Sequence, residues 1–188
     1  MANPGDILVQ GDTDTMVFRK TTAETGGAYV EVEATYASMT DVRPPVHSHP
    51  HQDEHFEVLD GELAFLIEGE PHTLRPGEHL DLPKGRLHTV WNAGAEPARF
   101  VWRTTPALGT ETMYETLWGL ANDGKIGRHG KPRPPLLQGA VLMHAYRREY
   151  RLAAPPYPAQ VVVYPALAAL GWVCGFRPSY PSYTVKAS

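Results

Sequence analysis

Between residues 28 and 104 apolar side chains recur at every second position in short runs, and each run stops at a glycine, a proline or an Asp/Asn turn. A period of two puts one face of a strand in a core and the other in water, whereas an amphipathic helix would need apolar positions three and four apart. AYVEVEATY sets Val30, Val32, Ala34 and Tyr36 on one side, ELAFLIEG does the same for Leu63, Phe65 and Ile67, and RFVWRT for Phe100 and Trp102. Turn chemistry falls at Asp60-Gly61, Glu68-Gly69-Glu70, Arg75-Pro76-Gly77, Lys84-Gly85 and Asn92-Ala93-Gly94, so the strands are short and evenly spaced. The expected architecture is mainly β and antiparallel, a sandwich or jelly-roll barrel.

The pattern changes after Pro106. TETMYETLWGLANDGK places Met113, Leu117 and Leu120 at helical spacing with Gly124 as a stop, and LLQGAVLMHAYRREY forms a second helix with a basic end. The chain therefore divides into an N-terminal segment packing on the barrel (1–27), the barrel (28–106) and a helical C-terminal extension (107–188). Between the two helices GKIGRHGKPRPP is expected to be an exposed loop, its Lys125, Arg128, Lys131 and Arg133 offering a weak alternative as an anion contact. QVVVYPALAALGWVCGF is 17 residues long, at the lower limit for spanning a bilayer, and Pro165 interrupts it. A buried helix covering a barrel face or a subunit interface is expected, with a peripheral membrane contact as the alternative. Cys174, the single cysteine, lies in this run and is expected to be an inert buried thiol.

At 188 residues the chain is the size of one domain, and a net charge of -4 gives no electrostatic ground for a nucleic-acid partner. A small molecule is the expected partner. The N-terminus lacks a basic segment followed by an apolar run, so no secretory signal is read and a cytoplasmic location is expected. No transmembrane segment is expected. The apolar tail calls for a partner surface, and a homodimer is the expected assembly.

Four histidines crowd into PPVHSHPHQDEHFEVLDGEL. His47 and His49 are two apart and point to one side; Glu54, Phe56 and Val58 share the inward face of the next strand, leaving His55 and Glu57 outside. Downstream, Pro83-Lys84-Gly85 turns the chain so that His88 can bring a third imidazole to the same interior. Three imidazoles and a carboxylate suit a first-row transition metal with open positions for water, oxygen or substrate. His51, adjoining this set, is expected to be a solvated or rim residue, and isolated His72, His79, His129 and His144 surface or capping groups.

At these positions the sequence resembles the cupins. One cupin motif has an HxH pair, a Glu after four residues and a Gly after six more, here His47, His49, Glu54 and Gly61. The other has a Gly, PxG after five residues, a His after two and an Asn after three, here Gly77, Pro83, Gly85, His88 and Asn92. The wording HPHQDEHFEVLDGEL looks most like the small single-domain cupins grouped with quercetin dioxygenase, and the resemblance covers roughly residues 28 to 104. It implies a single cupin jelly-roll barrel with appended C-terminal helices, in which His47, His49, Glu54 and His88 bind one divalent transition-metal ion per subunit, Fe, Mn, Ni, Cu or Zn. Gly61, Gly77, Pro83, Gly85 and Asn92 would serve turns.

Tyr36, Phe56, Val58, Phe65, Leu82, Val90 and Trp102 are the candidate wall of a substrate pocket. A wall so apolar favours a flat or aromatic substrate with a chelating oxygen. By analogy with the family, the expected activity is that of a metal-dependent oxygenase in which Glu54 stays a ligand or takes the substrate proton, making it the catalytic candidate. The alternatives are a non-redox metal-dependent isomerase, cyclase or hydrolase and a non-catalytic small-molecule-binding protein.

Overall fold

A computed structural model describes residues 2–11, 13–38, 44–126 and 135–184. Its strands are β1 (Ile7–Gln10), β2 (Asp14–Lys20), β3 (Val30–Tyr36), β4 (His47–Ser48), β5 (Asp53–Asp60), β6 (Leu63–Ile67), β7 (Glu70–Leu74), β8 (His79–Leu82), β9 (His88–Trp91), β10 (Ala98–Thr105) and β11 (Arg151–Leu152). The helices are α1 (Thr110–Asn122), α2 (Leu136–Ala145) and α3 (Tyr157–Val173). The strands pair antiparallel in two sheets, ordered β1-β2-β3-β10-β5-β8 and β11-β4-β9-β6-β7.

The alternation predicted from the sequence sorts the side chains of these sheets. Ala34, Phe56, Val58, Phe100 and Leu82 from one sheet meet Leu63, Phe65, Ile67 and Val90 from the other in a single buried cluster. Burying each such side chain is worth about 1.5–3 kcal/mol, so the register that turns this set inward is strongly selected. The turns close it at the expected places, with Gly61, Gly69, Gly77 and Gly85 all at positive φ. At Gly61 a Cβ would also stand 2.6 Å from the Pro97 carbonyl oxygen, so the hairpin needs glycine twice over.

The N-terminal segment adds β1 and β2 to the larger sheet. Further along β3, Val30 and Val32 leave the barrel cluster and join a second one with Met113, Tyr114 and Trp118 of α1 and Leu142 and Tyr146 of the α2 region. The helical extension therefore closes one end of the barrel, over the strand ends nearest the histidines.

Two expectations are corrected here. α3 is not buried: Val161, Val162, Val163, Leu170, Trp172 and Val173 are exposed, and only Gln160, Ala168 and Gly171 are buried along it. It packs on α2 through Gly171, where a Cβ would lie 2.7 Å from Val141 Cγ2, and this one narrow seam leaves most of its apolar surface uncovered. Cys174 is exposed as well, because it caps the free end of that helix. Lys125 is held by Asp123 at 2.7 Å and the Tyr183 hydroxyl at 3.0 Å. Arg128, His129, Lys131 and Arg133 lie outside the described residues. Among the described residues no helix is long and apolar enough to cross a membrane.

Candidate metal centre

Each inward group is placed by a strand. β4 begins at His47, which pairs across the sheet with His88 at the start of β9. His49 follows β4 directly, and β5 carries Glu54 inward opposite Leu82 of β8. All four side chains are buried, and the ligand atoms of His47, His49 and His88 lie within 4.8 Å of one another.

The rings are oriented by main-chain carbonyls. His47 Nδ1 lies 2.9 Å from the Pro45 carbonyl oxygen, His88 Nδ1 3.0 Å from that of Arg86, and His49 Nδ1 2.6 Å from that of Glu149. A carbonyl only accepts, so in each neutral ring the proton sits on Nδ1 and Nε2 offers its lone pair. The Nε2 atoms of His49 and His88 and Oε2 of Glu54 are buried without a hydrogen-bond partner. The carboxylate approaches both rings, Oε2 to His88 Nε2 at 3.0 Å and Oε1 to His49 Nε2 at 3.3 Å, without hydrogen-bond alignment. Trp102 fixes the other side of the carboxylate, its indole N–H donating to Oε1 at 2.9 Å.

Burial and charge set the protonation. Burial pushes Glu54 up, but the imidazoles of His49 and His88 outweigh it and hold the carboxyl at about 2. Burial, reinforced by His49 and His88, holds His47 well below its ordinary value, and burial lowers His49 too. His88 is lowered by burial and raised by the Glu54 carboxylate, with the rise prevailing. The result is an anionic carboxylate beside two imidazoles, His47 and His49, that burial keeps neutral, the form in which these groups bind metal.

Of the candidate pocket wall, Phe56, Val58, Phe65, Leu82 and Val90 sit in the barrel cluster, and Tyr36 and Trp102 border both clusters. Trp102 stacks on Phe56 at 5.3 Å and meets Tyr114 of α1 at 5.2 Å. Outside, His55 Nδ1 pairs with Asp81 Oδ1 at 2.7 Å and its ring stacks on His79, while His51, His72 and Glu57 are exposed.

Several groups at the site are absent from the expectation. Gln52 is buried two residues before Glu54, and that even spacing is a legible signal of a shared face. Its amide donates to Pro106 O, Ala107 O and Thr110 Oγ1, which turns Oε1, itself without a partner, the other way. Tyr114, Glu149 and Tyr150 arrive from the helical extension. Tyr150 stacks on His47 with ring centroids 4.3 Å apart and planes 20° from parallel.

The family model of the cupin domain, Cupin_2, matches residues 39–103, the span that holds all four inward groups. The chain carries a cupin domain. Over 60 residues (32% of this chain, 39% of the relative) the chain is 35% identical to Polyketide synthase CurC of Streptomyces cyaneus. Another 38% identity to an oxidoreductase of Arthrobotrys oligospora runs over 50 residues, 26% of this chain and 20% of that one. The chain thus spans less than half the length of these curated relatives. Among solved structures, KdgF from Halomonas sp. is similar with a TM-score of 0.47 and 16% identity, over 56% of this chain and 91% of that one. At the end of the barrel that holds the histidines, Glu149 and Tyr150 of the helical extension lie against His49 and His47.

Proposed function

We propose that this protein is a metal-dependent enzyme, a mononuclear non-haem oxygenase acting on a small, largely apolar or aromatic substrate with a chelating oxygen. The observation that supports it is the cluster of His49 Nε2, His88 Nε2 and Glu54 Oε2, buried together and without hydrogen-bond partners. Unpartnered buried polar atoms are costly, and a cation completes all of them at once. His47, His49, His88 and Glu54 would hold one divalent ion, Fe, Mn, Ni, Cu or Zn, all of which accept this donor set. When bound, the ion supplies Lewis acidity and, if redox-active, a route to dioxygen.

The rest is the work of the chain. Three carbonyls keep the imidazoles from rotating, and the Trp102 indole N–H pins Oε1 of Glu54, so Oε2 is the oxygen that either ligates the ion or leaves it to take a substrate proton. With its carboxyl held at about 2, Glu54 is ionised at neutral pH, the state in which it would bind a cation. Tyr36, Trp102 and Tyr150, half-buried, would offer aromatic faces to a flat substrate, with Phe56 and Tyr114 packed against Trp102. No Lys or Arg is buried among the described residues, which argues against a phosphorylated substrate. The likeness to an oxidoreductase agrees with redox chemistry. A homodimer through the uncovered face of α3 and a cytoplasmic setting belong to the same proposal.

Two measurements test it. Elemental analysis of protein purified without added metal should find close to one ion per chain, and a Glu54→Ala variant should lose most of it; substoichiometric metal in both would remove the metal centre. Dioxygen consumption is then followed with Fe-, Mn-, Ni- and Cu-loaded protein and a panel of aromatic hydroxyketones and catechols. No uptake with any combination would end the oxygenase assignment.

A further inference from the structure

The three imidazoles are not oriented alike. His47 and His88 lean on carbonyls two residues upstream, so their own strands set them, whereas His49 leans on the carbonyl of Glu149, 100 residues away in the helical extension. That carbonyl is itself pinned. The Glu149 side chain is buried, and its Oε1 accepts the N–H of Gly109 at 3.0 Å, at the N-terminus of α1 where unsatisfied N–H groups favour an anion. Next in the chain, Tyr150 lies flat on His47 at 4.3 Å and edge-on to His49 at 5.9 Å. β11 then pairs with β4, Leu152 opposite His47 and Arg151 opposite Ser48, and Ala153 N–H donates to Val46 O at 2.9 Å. Gln160 of α3 anchors the far side, its amide donating to Leu152 O at 2.8 Å and Pro155 O at 2.6 Å.

Residues 149–153 therefore form a strap along the strand that presents two of the three imidazoles. We infer that Glu149 is a positioning residue of the metal centre, acting through His49, and that the strap, with Tyr150 as its wall over His47, makes the helical extension set the metal affinity of the cupin domain. This rests on the metal-binding proposal above. The hydrogen bond to Nδ1 fixes the ring plane and makes Nε2 a better donor, and it holds only while the Gly109–Glu149 contact keeps the carbonyl in place. Tyr150 adds a rigid face that stops His47 from swinging away when the site is empty.

Cobalt(II) titration of the full-length protein, read by visible absorption and by competition with a chelator, tests the inference. Glu149→Ala should bind cobalt about 10- to 100-fold more weakly than wild type and shift the ligand-field bands. Glu149→Gln keeps an oxygen for the Gly109 N–H and should restore affinity to within a few-fold. Gln138→Leu cuts hydrogen bonds to Arg177 and Tyr180 elsewhere in the extension and should leave cobalt affinity unchanged. Equal affinity and spectrum in wild type and Glu149→Ala would overturn the positioning role while leaving the metal centre intact; a wild type that takes up no cobalt would overturn both. Should Glu149→Ala fail to fold, Tyr150→Leu decides: altered bands and faster loss of cobalt are expected, and an unchanged spectrum and off-rate would overturn the strap.

Discussion

Trp102→Phe is the sharpest probe of how the carboxylate is held. The indole N–H donates a hydrogen bond to Glu54 Oε1 at 2.9 Å, and the carboxylate is buried and ionised. A hydrogen bond to a charged group contributes about 1.5–3 kcal/mol, and the space left where the second indole ring stacked between Phe56 and Tyr114 adds about 1 kcal/mol. Metal-free Trp102→Phe should therefore lose about 3 kcal/mol in urea unfolding, well above the scatter of the method. Packing alone could account for part of that, so the informative quantity is the coupling. With Glu54→Leu as the second arm of a double-mutant cycle, Trp102→Phe should cost about 2 kcal/mol less in the Glu54→Leu background, because only the hydrogen bond depends on the partner. A coupling near zero would mean that the indole merely fills space, and the account of Glu54 as a pinned carboxylate with one free oxygen would have to be abandoned. A parallel titration should show Trp102→Phe weakening metal binding about tenfold, as expected for loss of a group that orients a ligand.

Other outcomes can be checked with the same preparations. Gly61→Ala should destabilise by about 3 kcal/mol, since it combines left-handed backbone with a Cβ 2.6 Å from Pro97 O, whereas Gly85→Ala, with the same hand of φ and open space around it, should lose about 1 kcal/mol; equal losses would show that the hairpin tolerates the closer approach. The metal-free protein should lose stability as pH falls below 6.5: burial keeps His47 and His49 neutral in the fold while the unfolded chain takes up protons. His88, raised by Glu54, works in the opposite sense and gives up its contribution as pH rises through its folded value, so the net slope is shallow. His47→Gln should flatten the acid limb in denaturant titrations on either side of that pH, and an unchanged limb would assign it elsewhere. Val162→Glu, on the exposed face of α3 beside Val161 and Val163, should shift sedimentation from dimer to monomer; a wild type that is already monomeric would remove the dimer.

What the chain discloses without its structure follows from the range over which each signal acts. Strand parity is local, so the inward set of Glu54, Phe56 and Val58 and the outward set of His55 and Glu57 are decided by counting, and the hairpin glycines by backbone sterics. The same counting reaches Gln52, which shares the parity of Glu54 but carries an amide with no familiar ligand spacing to draw notice. The apolar stretch ending at Cys174 shows the limit of composition: transfer free energy says such a helix wants cover, but not whether its own chain supplies it, and here the α2 seam at Gly171 covers only a narrow stripe. The Glu149 contact lies beyond any pattern, because the group that meets His49 is a main-chain carbonyl, the same atom in every residue, delivered by a helix pair folding back over 100 positions. It follows that truncating such a chain at the end of the matched domain, a natural choice from motifs alone, would retain all four inward side chains and remove the carbonyl that orients one of them.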